Sequence, residues 1–328
     1  MQHNSGFWAN KRILITGVTG FVGSWLAEKL VQGTNAEIYG LKRQNSGIKK
    51  LTHIGERITF VDGDILDTDS LANAVNSVSP DVIFHLAAQG IAKKGFKEPF
   101  STFSLNFQGT MNLLEAIRKS NADIKKIQFS SSANVYGEVA PQNIPIKENQ
   151  ELNPVEMYGV SKAAADYLCR SYAKIYGMPI VVNRGFHHEG LRCHEDMVGM
   201  EIARQVASVV KGDTKTLTFG NIDVVRDLND VRDITDGYIA TVEKGKNGEV
   251  YNICSSKGYK IRDLINTMLS RFNIKDIRIE VDPARLRSKD MPVLIGDNSK
   301  AKTELVWEPK IDFQDTLVEL INYYISKS

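Results

Sequence analysis

The chain has 328 residues, of which 42% are hydrophobic and 24% are charged, and its formal net charge is +2. This balance is typical of a soluble globular protein, and it excludes the strong field that would attract nucleic acid or a membrane surface. No apolar run is long enough to span a bilayer, and the N-terminus lacks the basic and apolar pattern of a signal peptide. The cysteines Cys169, Cys193 and Cys254 lie far apart, which favours a reducing cytoplasm over a disulfide framework or a cysteine-based zinc site.

The first recognisable motif combines a strand, a glycine-rich turn and a helix. Arg12–Thr16 is a short apolar run that predicts a buried parallel strand, and a helical pattern follows the glycines. Gly17 permits a tight turn, Gly20 lets the backbone approach a pyrophosphate, and Gly23 lets helix and strand pack closely. The N–H groups at the start of the helix are suited to phosphate. The turn therefore predicts a dinucleotide site formed by Gly17, Thr19, Gly20, Phe21 and Val22.

The second predicted strand, Ala36–Leu41, is followed by two cations, Lys42 and Arg43. An NAD site usually has an Asp or Glu at this point, which binds the ribose 2′-hydroxyl. Two cations without a carboxylate suit a 2′-phosphate instead. We therefore expect NADP(H) as the cofactor, with NAD(H) as the alternative. A solvated loop with incidental charge would show the same residues.

Later apolar runs predict a sheet whose strands alternate with helices. The further strands are expected at Ile58–Val61, Asp81–Leu86, Lys126–Phe129, Pro179–Asn183 and Val250–Cys254. One helix is expected from about Phe100 to Lys119. Alternating elements imply an α/β fold, with a Rossmann-type doubly wound parallel sheet and a smaller C-terminal substrate-binding lobe. The sheet domain is expected to comprise residues 1–184 and about 223–256, and the lobe residues 185–222 and about 257–328.

Ligands of such sheets bind at the carboxyl ends of the strands. Asp64 follows the third strand, where its carboxylate is placed to accept a hydrogen bond from an adenine amino group. Small residues follow the fourth strand and let a cofactor approach the backbone. The candidate cofactor-binding residues at these strand ends are Asp64, Ile65, Leu86, Ala87, Ala88 and Gln89.

A tyrosine and a lysine stand four residues apart at the start of a long helical pattern, which places Tyr158 and Lys162 on one helix face. The ammonium is expected to lower the phenol pKa from about 10, so that the tyrosine can serve as a general acid or base. Ser132, at the end of the fifth strand, is expected to bond the same substrate oxygen. An ordinary surface pair has the same spacing, but the ordered set of glycine turn, Asp64, Ser132, Tyr158 and Lys162 favours proton transfer at a carbinol.

Together these motifs resemble the extended short-chain dehydrogenase/reductase family, which comprises sugar-nucleotide epimerases, dehydratases and reductases, across essentially the whole chain. The segments Ile13–Leu26 and Phe84–Gln89 are similar to the dehydratases of GDP-mannose and CDP-glucose, and Gly40–Arg43 is similar to the NADP-binding segment of GDP-mannose 4,6-dehydratases. The resemblance implies hydride transfer between a substrate carbon and nicotinamide. The family's catalytic residues match Ser132, Tyr158 and Lys162, and the lysine would also hold the nicotinamide ribose.

The resemblance continues into the second half of the chain, where it implies a nucleotide-sugar substrate. Residues 282–292 and 296–300 are similar to segments of GDP-6-deoxy-mannose reductases and GDP-mannose dehydratases, which favours a GDP-linked sugar. His188 is assigned to the cofactor site, and His187 replaces the asparagine that the family usually has at the substrate diphosphate. The Arg226 fork suits a substrate phosphate. The implied substrate-binding residues are Asn134, His187, Val198, Arg226, Arg287 and Asp290.

Two further features allow alternative interpretations. The polar residues between His187 and Asp196 include metal-ligating types, but the family implies no metal, so a substrate-facing loop is preferred. The resemblance implies a homodimer that packs through a four-helix bundle. An apolar stripe suits that bundle and would equally suit an intramolecular core; it comprises Met111, Leu114, Tyr167 and Leu168.

The residue two positions after Ser132 bears on the reaction. GDP-mannose dehydratases place a glutamate there as an extra acid/base group, whereas this chain has Asn134, which cannot exchange a proton near about pH 7. Glu138 lies too far along the chain to be assumed a substitute. We therefore expect hydride transfer at C4, as in GDP-4-keto-6-deoxy-mannose reductases, with a 4,6-dehydratase or a 4-epimerase as alternatives. A non-catalytic NADP(H) sensor on the same fold is a further alternative that would not need Tyr158 or Lys162.

Overall fold

The computed structural model describes residues 5–286 and 290–327. Within these ranges, no helix is both long enough and apolar enough to cross a membrane. The strands in chain order are β1 (Arg12–Thr16), β2 (Glu37–Lys42), β3 (Ile58–Asp62), β4 (Val82–His85), β5 (Lys126–Ser130), β6 (Ile180–Gly185), β7 (His188–Glu189), β8 (Thr216–Phe219), β9 (Val225–Asp227), β10 (Asn229–Asp230), β11 (Val250–Ile253), β12 (Gly258–Lys260), β13 (Arg278–Val281) and β14 (Val293–Leu294). The helices are α1 (Ser5–Trp8), α2 (Phe21–Gly33), α3 (Thr68–Val78), α4 (Ala92–Lys97), α5 (Pro99–Phe103), α6 (Gly109–Lys119), α7 (Met157–Tyr176), α8 (Val198–Lys211), α9 (Val231–Lys244), α10 (Ile261–Arg271) and α11 (Phe313–Ser326).

The main sheet has seven parallel strands in the order β11-β6-β5-β4-β1-β2-β3. The strand order reverses between β1 and β4, which is where a doubly wound sheet opens a crevice at its carboxyl edge. The predicted strands are all present, and their observed ends lie within two residues of the predicted ends. The predicted Rossmann-type α/β fold is therefore confirmed.

Helices cover each face of the sheet. Successive residues of a strand point to opposite faces, so the apolar side chains of the strands pack on helices on both sides. Ile13 and Ile15 of β1 pack in a core that includes Leu26 of α2 and Ile239 of α9. Leu14, between them in sequence, packs in a second core with residues of α3, α6 and α7. The strands are apolar on both sides for this reason, as the sequence pattern indicated.

The smaller lobe is built mainly from α8, α10 and α11, whose apolar faces enclose Leu217 and Phe219 of β8. Its limits differ from the predicted ones in two places. Strand β9 pairs with β12 and β14, so the sheet domain resumes only at α9. The segment 301–307 was predicted to lie in the lobe, but Trp307 is fully buried in the core beside α9. Chain order suggested the predicted division, whereas packing of a large apolar side chain decides the observed one.

The helix expected from about Phe100 to Lys119 is divided. Helices α5 and α6 are joined by a π-helical turn, Ser104–Gln108, which periodicity did not predict. Such turns are often found at functional sites. Asn106 in this turn is buried; its amide accepts from the Gln89 N–H at 2.8 Å and donates to the Ser161 hydroxyl at 2.9 Å.

The start of α7 packs unusually closely on the chain that follows β5. A Cβ at Gly159 would lie 2.7 Å from the carbonyl oxygen of Asn134. At Gly137, where φ is +63°, a Cβ would lie 1.7 Å from the carbonyl oxygen of Asn153. Side chains at these two glycines would therefore force the two segments apart. We refer to the approach of residues 132–137 to residues 153–159 as the glycine contact.

Gly137→Ala is expected to destabilise the protein more than Gly177→Ala. Both glycines have positive φ. At Gly177, where φ is +67°, no atom lies within 4 Å of the position that an alanine Cβ would take. Its substitution therefore costs only the free energy of placing an alanine in the left-handed conformation, about 1–2 kcal/mol. Gly137→Ala adds the clash with Asn153 and should cost at least about 1–3 kcal/mol more. Denaturant unfolding of both variants measures the difference, and equal losses would contradict the role of the glycine contact.

Candidate active site

Three polar side chains predicted to be catalytic come together at the carboxyl edge of the sheet. Ser132 begins the 3₁₀ turn Ala133–Val135 just after β5. Tyr158 is in the first turn of α7, and its phenol is hydrogen-bonded to the Ser132 hydroxyl. Lys162 is buried one turn further along the same helix face. The glycine contact brings the serine and the tyrosine together.

The expected effect of the lysine on the tyrosine is wrong for this structure. Burial among protein atoms raises the pKa of Tyr158 to about 12, although part of the residue still reaches solvent. The hydrogen bond with Ser132 lowers the pKa and the charge of Glu156 raises it, both by less than burial does. The Lys162 ammonium is directed elsewhere, since it donates to the carbonyl oxygen of Ser130 and lies 4.8 Å from the centre of the Phe129 ring. The phenol is therefore protonated at neutral pH and ready to donate.

Burial also acts on Lys162. It lowers the lysine pKa to about 8, because an ammonium is unfavourable in surroundings that exclude water. The same surroundings, with the nearby Lys162 charge as a smaller cause, lower the pKa of His85 to about 3. His85 is thus neutral, and its two ring nitrogens are hydrogen-bonded to the hydroxyls of Thr16 at 2.8 Å and Thr110 at 3.0 Å. These contacts hold β4 and β1 against the site.

The glycine turn fits a dinucleotide phosphate. Gly17 has φ +72°, and a Cβ there would lie 2.8 Å from the Ala87 backbone nitrogen, while one at Gly23 would lie 2.2 Å from the Gly17 carbonyl oxygen. The N-cap of α2 is Gly20, which makes no side-chain capping hydrogen bond. The first N–H groups of α2 are thus left for a ligand, and an anion at a helix N-terminus is stabilised by these groups. Thr19 lies in this turn, Phe21 and Val22 begin α2, and Ala88 lies in the loop after β4.

The adenosine end of the predicted site is an open cavity of about 760 Å³. Its lining comprises Arg43, Gln44, Asn45, Ser46, Asp62, Gly63, Asp64, Asp67 and Ser70. One oxygen of Asp64 accepts from the Leu66 N–H at 2.9 Å, so this carboxylate shapes its own turn as well as facing the cavity. Ile65, also predicted here, is buried and packs on the α6 side of the sheet.

A carboxylate that the sequence analysis did not weigh stands beside the two predicted cations. Parallel pairing of β2 with β3 places Lys42 opposite Asp62, and the ammonium lies 3.1 Å from a carboxylate oxygen. The premise that these cations stand without a carboxylate is therefore wrong. Arg43, the residue after Lys42, lines the cavity. The partner of Lys42 comes from a different strand, so strand register rather than local sequence would have been needed to find it.

His188 lies against the glycine turn. Its ring stacks on Phe21 with the ring centres 6.2 Å apart, and its Nδ1 bonds the carbonyl oxygen of Phe186 at 2.7 Å. A carbonyl only accepts, so Nδ1 carries the proton and Nε2 is the free acceptor. Burial lowers the His188 pKa to about 4, which keeps the ring neutral. The assignment of His188 to the cofactor side agrees with this position.

On the substrate side, His187 and Val198 are linked through a buried glutamate that was not predicted. The His187 Nε2 lies 2.8 Å from Glu189, whose carboxylate accepts from the N–H groups of Gly199 and Met200 at 3.0 Å each. Glu189 thus caps α8, of which Val198 is the first residue. Further along the loop, His194 and Asp196 form a separate exposed pair with N···O 3.7 Å. The cluster predicted between His187 and Asp196 is therefore two pairs rather than one group.

Two residues predicted to bind the nucleotide are paired with each other. Arg226 of β9 lies 2.6 Å from a carboxylate oxygen of Asp290, and the Asn221 amide approaches the other oxygen at 3.4 Å. Arg287, predicted beside them, lies outside the described residues. A phosphate bound here would compete with Asp290 for the arginine.

Glu156 is a further polar residue that the sequence analysis missed. It is the N-cap of α7, and its carboxylate accepts from the N–H groups of Tyr158 at 3.1 Å and Gly159 at 2.9 Å. It also accepts from the side-chain amide of Asn134 at 3.1 Å. An acidic residue at the start of a predicted helix is a recognisable capping signal, but the contact with Asn134 depends on the fold.

A doubly wound sheet with a glycine turn and a Ser–Tyr–Lys set at its carboxyl edge defines an enzyme of the extended short-chain dehydrogenase/reductase class. The family model described as GDP-mannose 4,6 dehydratase matches residues 14–320, and the chain belongs to this family. These findings confirm the predicted family, the fold and the class of enzyme.

The relatives include two activities. The chain is 31% identical over 320 residues to GDP-6-deoxy-D-mannose reductase of Pseudomonas aeruginosa, with 97% of this chain and 98% of that protein covered. It is 31% identical over 351 residues to GDP-mannose 4,6-dehydratase of Vibrio cholerae serotype O1, with 95% and 93% covered. The solved structure of RMD from Pseudomonas aeruginosa complexed with NADPH superimposes with a TM-score of 0.81 and 30% identity, and 97% of this chain and 100% of that chain are covered.

Lys162→Met is expected to change the pH dependence of stability. The folded lysine loses its proton near its pKa of about 8, whereas the unfolded lysine keeps it to 10.5. The unfolded state binds more protons between these values, so the lysine's contribution to stability rises with pH there. The stability of wild type minus that of Lys162→Met should therefore increase by about 2 kcal/mol between about pH 7 and about pH 9.5.

Urea unfolding at the two pH values measures this difference. Lys244→Met, which removes an exposed lysine of α9, is the control for the loss of one positive charge. If the stability of wild type minus that of Lys162→Met stays constant or falls as the pH rises, the result would contradict a lowered pKa for the buried Lys162 ammonium.

Asp62→Asn is expected to favour NADPH over NADH. The substitution releases Lys42 and removes a negative charge near the 2′-phosphate, so the ratio of the NADH to the NADPH dissociation constant should rise about three- to fivefold. Fluorescence titration with both cofactors measures the ratio. Asp69→Asn removes an exposed charge on the neighbouring helix α3 and should leave the ratio unchanged. An equal effect on both cofactors would count against a role for Asp62 in their discrimination.

Proposed function

We propose that this protein is an NADPH-dependent reductase of a 4-keto sugar nucleotide, with GDP-4-keto-6-deoxy-mannose as the favoured substrate. The observation that carries the proposal is Asn134. It stands two residues after Ser132, where a dehydratase needs a carboxyl group, and its side-chain amide has no titratable proton. The relatedness to the Pseudomonas reductase and to a structure that holds NADPH supports the same reaction and cofactor, with NAD(H) as the weaker alternative.

The protonation state of the site supports the direction. Reduction requires a proton donor for the carbonyl oxygen, and the Tyr158 phenol is protonated well above neutral pH. Oxidation of a substrate alcohol, the first step of an epimerase or a dehydratase, requires a base there instead. Burial keeps the Tyr158 phenol protonated at neutral pH, which is the form that reduction requires.

In the proposed reaction, NADPH held at the glycine turn of Gly17, Gly20 and Gly23 would supply the hydride for C4 and leave as NADP⁺. Ser132 and Tyr158 hold the carbonyl oxygen, and the Tyr158 O–H gives it a proton, so that the ketone becomes an alcohol. Lys162, one turn along the helix, carries positive charge below its pKa of about 8 and is the proposed contact for the nicotinamide ribose. Arg226 and the capped start of α8 are the proposed positions for the diphosphate, with His187 beside them.

A second candidate is 4,6-dehydration of GDP-mannose, which the similarity to the Vibrio enzyme favours. That reaction removes a proton at C5 and expels the C6 hydroxyl, so it needs an acid/base pair in addition to Tyr158. A 4-epimerase and a non-catalytic NADP(H)-binding protein on the same fold are weaker candidates.

The test is a hydride assay with NADPH and GDP-4-keto-6-deoxy-mannose, after the cofactor content of freshly purified protein has been measured. A reductase is expected to hold little cofactor and to oxidise NADPH in a one-to-one ratio to substrate. Tyr158→Phe should lower turnover by on the order of 10²–10⁴ while NADPH still binds, because only the donated proton is lost.

The other outcomes separate the candidates. Tightly held cofactor without net oxidation, together with conversion of GDP-mannose, would replace the reductase with a dehydratase. Turnover that Tyr158→Phe leaves unchanged would remove the role of the phenol. NADPH binding without turnover of any nucleotide sugar would favour the sensor.

We also propose a cytoplasmic homodimer that packs through the four-helix bundle formed by α6, α7 and their copies. The free cysteines Cys169 and Cys254 are buried, which suits a reducing compartment. Of the predicted stripe, Leu114 is buried within the subunit and Tyr167 is 51% exposed. Phe100 on α5 is 85% exposed, and apolar rings on a helical surface are typical of interfaces.

Tyr167→Glu is expected to convert the dimer to a monomer or to weaken it at least about tenfold, because a charge would be buried at the interface. Light scattering at micromolar protein measures the mass. Tyr323→Glu, on the exposed part of α11, is the control and should leave the mass unchanged. A monomeric mass for the wild-type protein would contradict the proposed dimer.

A further inference from the structure

Asn134 and Glu156 belong to different segments that meet at the glycine contact. The Asn134 Nδ2 donates to a Glu156 carboxylate oxygen at 3.1 Å, and the same oxygen accepts from the Gly159 N–H at 2.9 Å. The second carboxylate oxygen accepts from the Tyr158 N–H at 3.1 Å. Glu156 thus joins Asn134 to the first turn of α7, which carries Tyr158. Asn134 is the residue that distinguishes this site from that of a dehydratase.

The contact determines which way the asparagine amide faces. A carboxylate only accepts hydrogen bonds, so the NH₂ group of Asn134 must be the end that meets Glu156. The carbonyl oxygen Oδ1 is the other end, and among the residues that the structure describes no side chain or backbone group donates to it. The Asn134 backbone N–H donates to the Ser132 hydroxyl at 3.2 Å, which keeps the whole residue beside the Ser132–Tyr158 pair. An acceptor without a protein donor among the described residues therefore belongs to a residue that lies beside Ser132.

Capping alone does not account for this arrangement. The N-cap position of a helix favours short side chains such as Ser, Thr, Asp and Asn, and a serine would satisfy the N–H of Gly159. The longer glutamate reaches both the helix N–H groups and the Asn134 amide. A short capping side chain would leave the Asn134 amide without its carboxylate acceptor. The extra reach serves Asn134 rather than α7.

We propose that Glu156 is a positioning residue that fixes the Asn134 amide with Oδ1 as a hydrogen-bond acceptor for a sugar hydroxyl on a carbon next to the one that meets Ser132 and Tyr158. The proposal rests on the proposed function, since it takes the sugar of a nucleotide sugar as the ligand. Position 134 then selects substrates that carry a hydroxyl at that carbon, and it binds the sugar instead of exchanging a proton with it. Neighbouring hydroxyls on a pyranose ring are close enough for Ser132 and Asn134 to hold two of them at once.

The test is a binding experiment that does not depend on turnover. Protein saturated with NADP⁺ is titrated calorimetrically with GDP-mannose and, separately, with GDP. The variants are Asn134→Ala, Glu156→Ser and the double substitution. Serine keeps a cap for α7 but does not reach the amide, so its melting temperature should stay within a few degrees of the wild-type value.

Each single substitution is expected to weaken GDP-mannose binding about tenfold and to leave GDP binding within about twofold, because only the sugar contact is lost. The double variant should bind GDP-mannose no more weakly than Asn134→Ala, because Glu156 acts through Asn134. Such non-additivity would not arise if Glu156 only stabilised the helix.

Three results would overturn the proposal: equal weakening of GDP and GDP-mannose, additive losses in the double variant, or unchanged GDP-mannose binding in Asn134→Ala. Absence of GDP-mannose binding to the wild-type protein would remove the substrate class and this proposal together. The variants could show the expected binding pattern while the wild-type protein oxidises no NADPH with 4-keto sugars. That result would contradict the reductase reaction alone and would leave the role of Glu156 in place.

Discussion

The site depends on a backbone approach that only glycine allows. Ser132 follows a strand and Tyr158 begins a helix, and nothing local in the sequence brings them together. They meet because the segment after β5 and the segment before α7 touch at Gly137 and Gly159, where a Cβ would lie 1.7 Å and 2.7 Å from a carbonyl oxygen of the opposite segment. Side chains there would move the phenol away from the serine, and a displacement of about 1 Å at such a site costs about two orders of magnitude in rate.

Burial in this closely packed region also shifts the pKa values of the central side chains. Burial raises the pKa of Tyr158 to about 12 and lowers those of Lys162 to about 8 and His188 to about 4. The charges that a phosphate-bearing ligand would meet are placed differently. They lie on backbone N–H groups at the start of α2 and on rim side chains such as Arg43 and Arg226. A protonated phenol beside one ammonium at the centre, with further cations at the rim, suits a ligand whose anionic groups are distant from its reacting carbon.

Local signals in the sequence predicted the fold, and they singled out three side chains that lie at one edge of the sheet in the structure. The glycine turn, the strand ends and the Tyr–Lys spacing each lie within a few consecutive residues, where backbone geometry follows directly from residue type. What the sequence did not show is pairing between distant residues. Lys42 meets Asp62 through strand register, Arg226 meets Asp290 across the lobe, and Trp307 returns to the first core. The pKa of Tyr158 was mispredicted for the same reason, because burial depends on the assembled fold whereas helix spacing does not.

Ketone reduction and dehydration on this fold differ in where a carboxylate must lie. Reduction of a ketone needs one proton at one oxygen, which Tyr158 can supply. Dehydration needs two further proton movements at carbons five and six, so it requires a carboxyl group that faces the sugar and is free to gain and lose a proton. In this chain the nearby carboxylate is Glu156, and both of its oxygens already accept N–H donors from Tyr158, Gly159 and Asn134. A carboxylate that accepts from three donors orients its neighbours. The negative charge near the sugar is thus used for geometry, which leaves a single proton donor and favours the simpler reaction.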